Sequence, residues 1–298
     1  MELTILPSYN IDRLKWDECL YSSALPFMYA SSSYLDNMAD NWSGIIGNDY
    51  ELIMPIPWRK KYGIKYTYSI PFVQQLGLFG KQAVNDNIEA CIKMLQNNFK
   101  YGDYAFNHLN KLNNAKKSNN YVLSLASDYK TISLFYSNKL KSRLKKASQN
   151  VFAYSNATAE DAIKYYNELY GTRMPNITPE DYNSFYAFCM LKLKEDNLVL
   201  RKISLAKDLL AINLLVKDQH RLYNLLSCTF REGRNVFAGH FLYDSLIKEF
   251  SRTGLVFDFE GSDIPGVEQF YKSFGAINQP YSKMHFNKLP YFLRLFKR

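Results

Sequence analysis

The spacing of apolar residues predicts the elements of the first half of the chain. Between Asp86 and Phe99, apolar side chains recur at i, i+3, i+4, i+7 and i+11. This spacing places them on one face of a helix, so the segment is predicted to be a helix with one buried stripe. Two prolines bias Ile53–Trp58 away from helix, which predicts an extended segment. Strands are also predicted at Leu3–Pro7, near Tyr66–Ile70 and at Tyr121–Ala126, the last closing this half.

The second half is marked by helix caps and a run of strands. Thr158 with Asp161, and Thr178 followed by Pro179, have the spacing of helix starts. Three strands are predicted next, followed by alternating helices and strands. The three strands are Leu198–Leu205, Leu209–Val216 and Arg221–Phe230. The elements after them are a helix at Ala238–Ser251, a strand at Leu255–Glu260, a helix at Pro265–Phe274 and a strand at Ser282–Phe286. With a short strand predicted first, at Val151–Tyr154, the order β-α-α-β-β-β-α-β-α-β indicates a mixed α/β (α+β) fold with a central antiparallel meander.

Length and composition favour two domains. The chain has 298 residues, of which 47% are hydrophobic and 16% aromatic. Single cores stop growing well below this length, so two cores are expected. A strongly basic helix is predicted over Ser137–Asn150, and we place the boundary near its end. The expected domains are residues 1–148, including this helix, and residues 149–298.

Several classes of protein are excluded. No stretch approaches the about 18 apolar residues of a spanning helix, and Met1–Thr4 does not begin a signal peptide. Four cysteines lie far apart, which favours a reducing cytoplasm over a disulfide or zinc framework. Scattered histidines and carboxylates predict no metal site. The formal net charge of +9 leaves three kinds of partner open: nucleic acid, an anionic membrane surface, or a phosphate-bearing small molecule.

A family resemblance appears in the second half. Phe257–Ser262, Pro265–Val267 and Phe270–Ala276, within this order of elements, resemble the GNAT acyltransferase superfamily. The basic helix, together with Pro71–Gly77, is similar more narrowly to the tandem-GNAT branch of Fem-type peptidoglycan aminoacyltransferases and its small bacterial members. The resemblance implies two tandem GNAT-like domains, each with a mixed, mainly antiparallel sheet flanked by helices. It also implies a degenerate, acceptor-side first domain and a donor-side second domain.

The function implied by this resemblance is acyl transfer without a metal. The donor would be acyl-CoA or aminoacyl-tRNA, and the acceptor an amine or hydroxyl on a small molecule or a cell-wall precursor. The stretch Arg231–Gly239 has basic residues and glycines but lacks the Arg/Gln-x-x-Gly-x-Gly/Ala signature of acetyl-CoA-binding members. A non-catalytic GNAT-fold module that binds an anionic ligand is the alternative, and a general nucleic-acid binder ranks third.

Candidate donor-binding residues lie in that same stretch. A glycine-containing link that leads into a helix presents free N–H groups and the positive end of the helix dipole, which suit a phosphate. Arg231, Gly233, Arg234 and Asn235 are therefore the predicted donor-binding residues, with the arginines adding bidentate contacts. A solvated turn is the alternative interpretation.

Asp258 and Glu260 are the candidate catalytic residues. They alternate along a predicted strand with Phe257 and Phe259, so they are expected to share one face while the rings enter the core. Acyl transfer to an amine needs a base or a carboxylate that holds the amine. A structural role, with Asp258 binding backbone amides and Glu260 capping a turn, stays open.

Candidate acceptor-binding residues are Arg143, Gln74 and Gln75. Arg143 lies in the basic helix, whose cations could bind a phosphate-linked acceptor or a tRNA backbone, or be a solvated face. One of the two glutamines must point inward if their segment is a strand, either as a satisfied core amide or as a substrate contact. The basic, aromatic tail Tyr291–Arg298 predicts at most a weak contact with an anionic membrane, which would place the protein at its inner face.

Overall fold

The computed structural model describes residues 2–83, 85–113 and 115–294. The described strands are β1 Leu3–Pro7, β2 Trp42–Gly47, β3 Leu52–Lys61, β4 Ile64–Thr67, β5 Tyr101–Phe106, β6 Lys116–Ser118, β7 Tyr121–Ser124, β8 Phe152–Asn156, β9 Leu198–Leu205, β10 Asp208–Lys217, β11 Arg221–Thr229, β12 Val256–Asp258, β13 Ile277–Asn278 and β14 Tyr281–Asn287. The described α-helices are α1 Arg13–Tyr21, α2 Ser32–Met38, α3 Asn85–Asn98, α4 Tyr129–Leu134, α5 Asn138–Ala147, α6 Ala159–Tyr170, α7 Pro179–Lys194, α8 Arg231–Asn235, α9 Ala238–Glu249, α10 Pro265–Ser273 and α11 Tyr291–Arg294.

The chain folds as two compact units. Unit 1 comprises Met1–Ser118 with Pro280–Arg298, and unit 2 comprises Asn119–Gln279. Each contains a seven-stranded sheet, in the order β1-β2-β3-β4-β5-β14-β6 in unit 1 and β13-β7-β12-β11-β10-β9-β8 in unit 2. A single strand pair in each sheet is parallel, β4 with β5 and β11 with β12, among the pairings described. The predicted class, two mixed and mainly antiparallel sheets flanked by helices, is confirmed.

The units divide the chain differently from the boundary expected near residue 148. β7, predicted to close the first domain, pairs with β12 and β13 of unit 2. The last strand, β14, predicted to end the second domain, pairs with β5 and β6 of unit 1. The basic helix α5 packs against α9 and so belongs to unit 2. Strand partners depend on long-range pairing, which the local pattern of these short strands does not encode.

Capping motifs and apolar spacing correctly predicted two of the helices. Thr178 accepts a hydrogen bond from the Asp181 backbone N–H at 3.3 Å, and the Asp181 carboxylate accepts one from the Thr178 N–H at 2.7 Å. This is the capping box that begins α7, with Pro179 in its first turn. The apolar stripe of α3 is buried at Ile88, Cys91 and Leu95.

The core of unit 2 lies between its sheet and helices α4, α5, α9 and α10. Aromatic rings dominate the part near β12, where Phe257, Phe259, Tyr243, Tyr271 and Phe274 are buried together. The Tyr243 and Phe259 rings are stacked with centres 5.7 Å apart.

Each described helix is too short or too polar to cross a bilayer.

Candidate functional site

A cavity of about 740 Å³ opens in unit 2 where two strands separate. β11 and β12 run parallel through three pairs, the last being Tyr223 with Asp258. Beyond that point β11 continues to Thr229 along β10, whereas β12 ends at Asp258 and the next residue, Phe259, donates its N–H to the Tyr121 carbonyl of β7 at 3.0 Å. The gap faces the carboxyl end of both strands, a position where open α/β sheets commonly bind ligands.

A β-bulge shapes the strand side of this cavity. Leu214 pairs with Leu226, but the next residue, Leu215, pairs with Asn224, so the register skips Leu225. Leu225 lies on the cavity wall. A bulge bends its strand and leaves the extra residue out of the ladder. β12 ends at Asp258, so its described pairing with β11 stops before Leu225.

A buried polar network supports the same wall. The Asn213 amide donates to Asn224 Oδ1 at 2.9 Å, and the Asn224 amide donates to the Tyr243 hydroxyl at 2.8 Å. Ser227 donates to Asn213 Oδ1 at 3.0 Å. Asn224, Ser227 and Tyr243 all line the cavity. Sequence analysis missed this network, although asparagines inside two otherwise apolar strands were a signal, because buried amides require partners.

Arg143 and His240 form the basic side of the cavity. Arg143 Nη1 lies 3.1 Å from His240 Nε2, and its guanidinium lies 5.8 Å from the centre of the Phe237 ring. Burial, and then the Arg143 charge, lower the pKa of His240 to about 4. His240 is therefore neutral near pH 7, and its Nε2 accepts the hydrogen bond from Arg143. Arg234 and Arg173 line the same cavity, and Arg234 donates to the Thr229 carbonyl at 2.7 Å.

Solved structures share this fold over the whole chain. The chain matches the crystal structure of FemX with a TM-score of 0.67 at 11% identity, covering 100% of both chains. A tandem GNAT protein from the clavulanic acid biosynthesis pathway matches with a TM-score of 0.55 at 10% identity, over 97% of this chain and 99% of that one. The fold is that of the tandem GNAT proteins.

A third structure extends the comparison. The C-terminal DUF2156 domain of a protein from Agrobacterium fabrum matches the tandem GNAT fold of this chain with a TM-score of 0.51 at 8% identity, over 95% and 94% of the two chains. No protein-family model matches the sequence, and neither does any curated protein. The resemblance to tandem GNAT proteins seen in the sequence is thus shown at the level of the fold.

The donor segment predicted in the second GNAT domain is arranged differently from a glycine loop. Arg231–Asn235 forms the short helix α8, and Phe237, with φ of 60°, links it to α9. Gly233 is buried, and a Cβ atom there would lie 2.2 Å from the Leu210 carbonyl oxygen. Gly233 therefore permits close packing of α8 on β10. Arg231 and Asn235 are exposed and lie outside the described cavity lining, whereas Arg234 lines it.

The two predicted catalytic carboxylates do not share a face. Asp258 is fully buried, where Arg221 Nη1 donates to it at 2.6 Å and the Asn120 amide at 3.3 Å. Burial raises the pKa of Asp258, and the Arg221 charge opposes this. The strand ends at Asp258, and Glu260, with φ of 62°, turns onto the cavity wall. The expected alternation fails because the backbone becomes left-handed at Glu260.

The remaining predicted residues lie elsewhere. Gln75 of unit 1 is fully buried, where it accepts from the His108 backbone N–H at 3.1 Å and donates to the half-buried Gln74. Gln75 is therefore a satisfied core amide. Cys228, which lies on β11 and was not among the predicted site residues, is buried, and burial raises the pKa of its thiol to about 12, which disfavours a nucleophilic thiolate. Among the described residues, no group of three His, Cys, Asp or Glu side chains could hold a metal. The end of the predicted membrane-contacting tail, residues 295–298, lies outside the described residues.

Proposed function

We propose that the second GNAT domain transfers an acyl or aminoacyl group from a phosphate-bearing donor, acyl-CoA or aminoacyl-tRNA, to an amine or hydroxyl acceptor. The observation that carries this proposal is the composition of the unit 2 cavity. Its lining combines arginines and the beginning of α9 with the Glu260 carboxylate. The arginines and the helix start suit an anionic donor, and the carboxylate suits a nucleophilic amine acceptor.

The donor phosphates would lie against Arg143, Arg234 and the first turn of α9. Gly239 and His240 of that turn line the cavity, and the N–H groups at the start of a twelve-residue helix carry partial positive charge. Arg143 was predicted to contact the acceptor. Because Arg143 lines the same cavity as Arg234, we assign both guanidinium groups to the phosphates of the donor.

The carbonyl to be attacked would lie near the bulge at Leu225. A backbone N–H there could donate to the oxygen as it gains negative charge, which lowers the barrier to attack. The acceptor nitrogen then forms the new C–N bond, and the bond from carbonyl carbon to donor sulfur or oxygen breaks. No covalent intermediate with the protein is needed.

Two side chains can handle the protons of this reaction. Glu260 accepts the proton that the acceptor ammonium must lose so that the neutral amine can attack. Tyr271 lines the cavity, and burial raises its pKa well above the ordinary value, so its hydroxyl stays protonated. That hydroxyl can donate to the departing sulfur or oxygen.

A thermal-shift panel with acyl-CoAs and aminoacyl-tRNAs tests the donor assignment. A donor at 100 times its Kd stabilises the protein by about 2.7 kcal/mol. We expect the shift to disappear in the double variant Arg143→Ala/Arg234→Ala and to remain in Arg231→Ala, whose side chain is exposed outside the cavity lining.

Transfer to amine acceptors, including nucleotide-linked peptidoglycan precursors, is then assayed with the donor that binds. A melting temperature that no donor changes would contradict the proposal. Binding without transfer to any acceptor would favour a non-catalytic module that recognises an anionic ligand.

A further inference from the structure

Cations from distant parts of the sequence meet around a second cavity, in unit 1. This cavity has a volume of about 570 Å³. Its described lining consists of Ile64, Lys100, Lys288, Leu289, Pro290, Tyr291 and Arg294. Three of these side chains carry positive charge, and none of these lining residues is acidic. The cavity is therefore suited to an anion.

Backbone hydrogen bonds hold the segments that carry these cations beside one another. The Lys100 N–H donates to the Lys65 carbonyl at 3.4 Å, and the Lys288 N–H donates to the Lys100 carbonyl at 2.7 Å. Lys60 lies opposite Lys65 in the β3–β4 ladder. Arg294 is tied to the same place, because its Nε donates to the Leu289 carbonyl at 2.6 Å. The fold therefore groups exposed cations in neighbouring segments, which favours the binding of an anion among them.

Two carboxylates of unit 1 are already paired with other side chains. Asp40 accepts from Arg59 at 2.7 Å, and Asp103 lies 2.9 Å from His285. Within the part of the chain that the structure describes, no ion pair involves Lys60, Lys65, Lys100, Lys288 or Arg294. The carboxylates among the described residues therefore leave the positive charge of this cluster unpaired.

Exposed aromatic rings accompany the cations. Tyr62, at the tip of the β3–β4 hairpin, is 92% exposed, and Tyr291 and Phe292 of α11 are 80% and 64% exposed. The Lys61 ammonium lies 5.5 Å from the centre of the Tyr62 ring. Rings beside lysine and arginine are typical of the lipid headgroup region. Binding of single-stranded nucleic acid instead requires rings that line a groove, where bases stack on them.

We propose that this basic face, formed by Lys60–Lys65, Lys100, Lys288 and Tyr291–Arg294, docks on a bilayer that contains anionic phospholipids. Lipid phosphates would occupy the 570 Å³ cavity between Lys100, Lys288 and Arg294. The rings of Tyr62, Tyr291 and Phe292 would lie at the level of the headgroups. This inference does not depend on the proposed acyl transfer.

Vesicle sedimentation tests the proposal with the full chain. We expect binding to vesicles of phosphatidylcholine with about one third phosphatidylglycerol, little binding to pure phosphatidylcholine, and weaker binding as salt increases. The triple variant Lys65→Gln/Lys100→Gln/Lys288→Gln should lower the partition coefficient about a hundredfold, since each cation near an anionic surface contributes about a fivefold factor.

A matched triple variant controls for net charge. Lys81→Gln/Lys93→Gln/Lys207→Gln removes three exposed lysines outside this face. Its partition coefficient should stay within about threefold of the unchanged protein. An equal loss in both triple variants would overturn the proposal, because the location of the charge would then be irrelevant.

Two further arms separate the membrane from other anions. Tyr62→Ser/Phe292→Ser should weaken vesicle binding several-fold at unchanged net charge, whereas unchanged binding would overturn the membrane assignment. Inorganic phosphate and a single-stranded RNA are titrated in parallel. RNA binding that depends on the same three lysines, with no vesicle binding, would also overturn it. None of these measurements involves acyl transfer, so their failure leaves the proposed function untouched.

Discussion

Asp258 and Glu260 lie two residues apart, but their surroundings give them different roles. Asp258 accepts the Glu260 backbone N–H at 3.1 Å and is itself held by Arg221. It therefore fixes the turn that presents Glu260 to the cavity. A fully buried carboxylate cannot contact a substrate, so the positioning role falls to Asp258 and the proposed proton transfer to Glu260.

Replacing Glu260 tests this division. Glu260→Gln keeps the size of the side chain but cannot accept a proton. We expect kcat to fall by about 10²–10⁴-fold with donor affinity unchanged, measured by steady-state transfer and donor titration. Glu232→Gln, at an exposed residue outside the described cavity lining, is the control. Full activity in Glu260→Gln would remove Glu260 from the mechanism.

His240 makes stability depend on pH in a defined direction. Its pKa falls from the ordinary 6.5 to about 4 in the folded protein, so the unfolded chain binds more protons between these values. Stability should therefore decrease as pH falls from 7 to 5, by about 1–2 kcal/mol from this group. Urea unfolding at both pH values should show this decrease, and His240→Gln should flatten it. An identical pH dependence in the variant would contradict the assignment.

At the scale of elements, α8 shows how a close backbone contact overrides a loop-like sequence. Arg-Glu-Gly-Arg-Asn has the composition of a turn, yet it forms a helical turn packed on β10. Gly233 permits this approach because it has no side chain. In the proposed function, Arg234 and the start of α9 therefore bind the phosphate in place of the loop expected here.

Two glycine substitutions measure this contact. Gly233→Ala should destabilise the protein by about 1–3 kcal/mol, because its Cβ would collide with the Leu210 backbone. Gly266→Ala, in the first turn of α10, meets nothing within 4 Å and should be neutral or stabilising by up to about 1 kcal/mol. Thermal unfolding of both variants provides the comparison. Equal stability would show that α8 does not need the close approach.

At the scale of the whole molecule, one buried network lies where the chain enters and leaves unit 2. Arg221 joins Asp258 on β12 and donates to Gln279 Oε1 at 3.1 Å. The Gln279 N–H donates to the Asn120 carbonyl at 2.7 Å. Asn120 follows the first crossing of the chain between units, and Gln279 precedes the second. The ion pair and its hydrogen bonds therefore connect β11 and β12 to both ends of unit 2.

Breaking this pair should cost far more than breaking a surface pair. Asp258→Asn leaves the Arg221 charge buried without its partner, which typically destabilises by about 3–5 kcal/mol. Glu268→Gln, which breaks the exposed pair with Lys272 on α10, should leave stability nearly unchanged, because water screens exposed pairs. Chemical denaturation of both variants checks the difference. A small effect of Asp258→Asn would show that unit 2 does not rely on the network.

The sequence by itself determined the features that depend on near neighbours. The stripe of α3, the capping box of α7 and the three-stranded meander each follow from spacing within a few residues. The arrangement of motifs was also sufficient to indicate the tandem GNAT fold. Arg143, Arg234 and Glu260, all chosen from the sequence, lie around one cavity.

Only the tertiary structure decided which strands pair and which side chains meet. It placed β14 in unit 1 and β7 in unit 2, buried Asp258 against Arg221, and used Gln75 in the core. It also brought the backbones of Lys65, Lys100 and Lys288 next to one another. The reason is physical: strand pairing, burial and charge clustering depend on partners far away in the chain, whereas helices and caps form from residues within one or two turns.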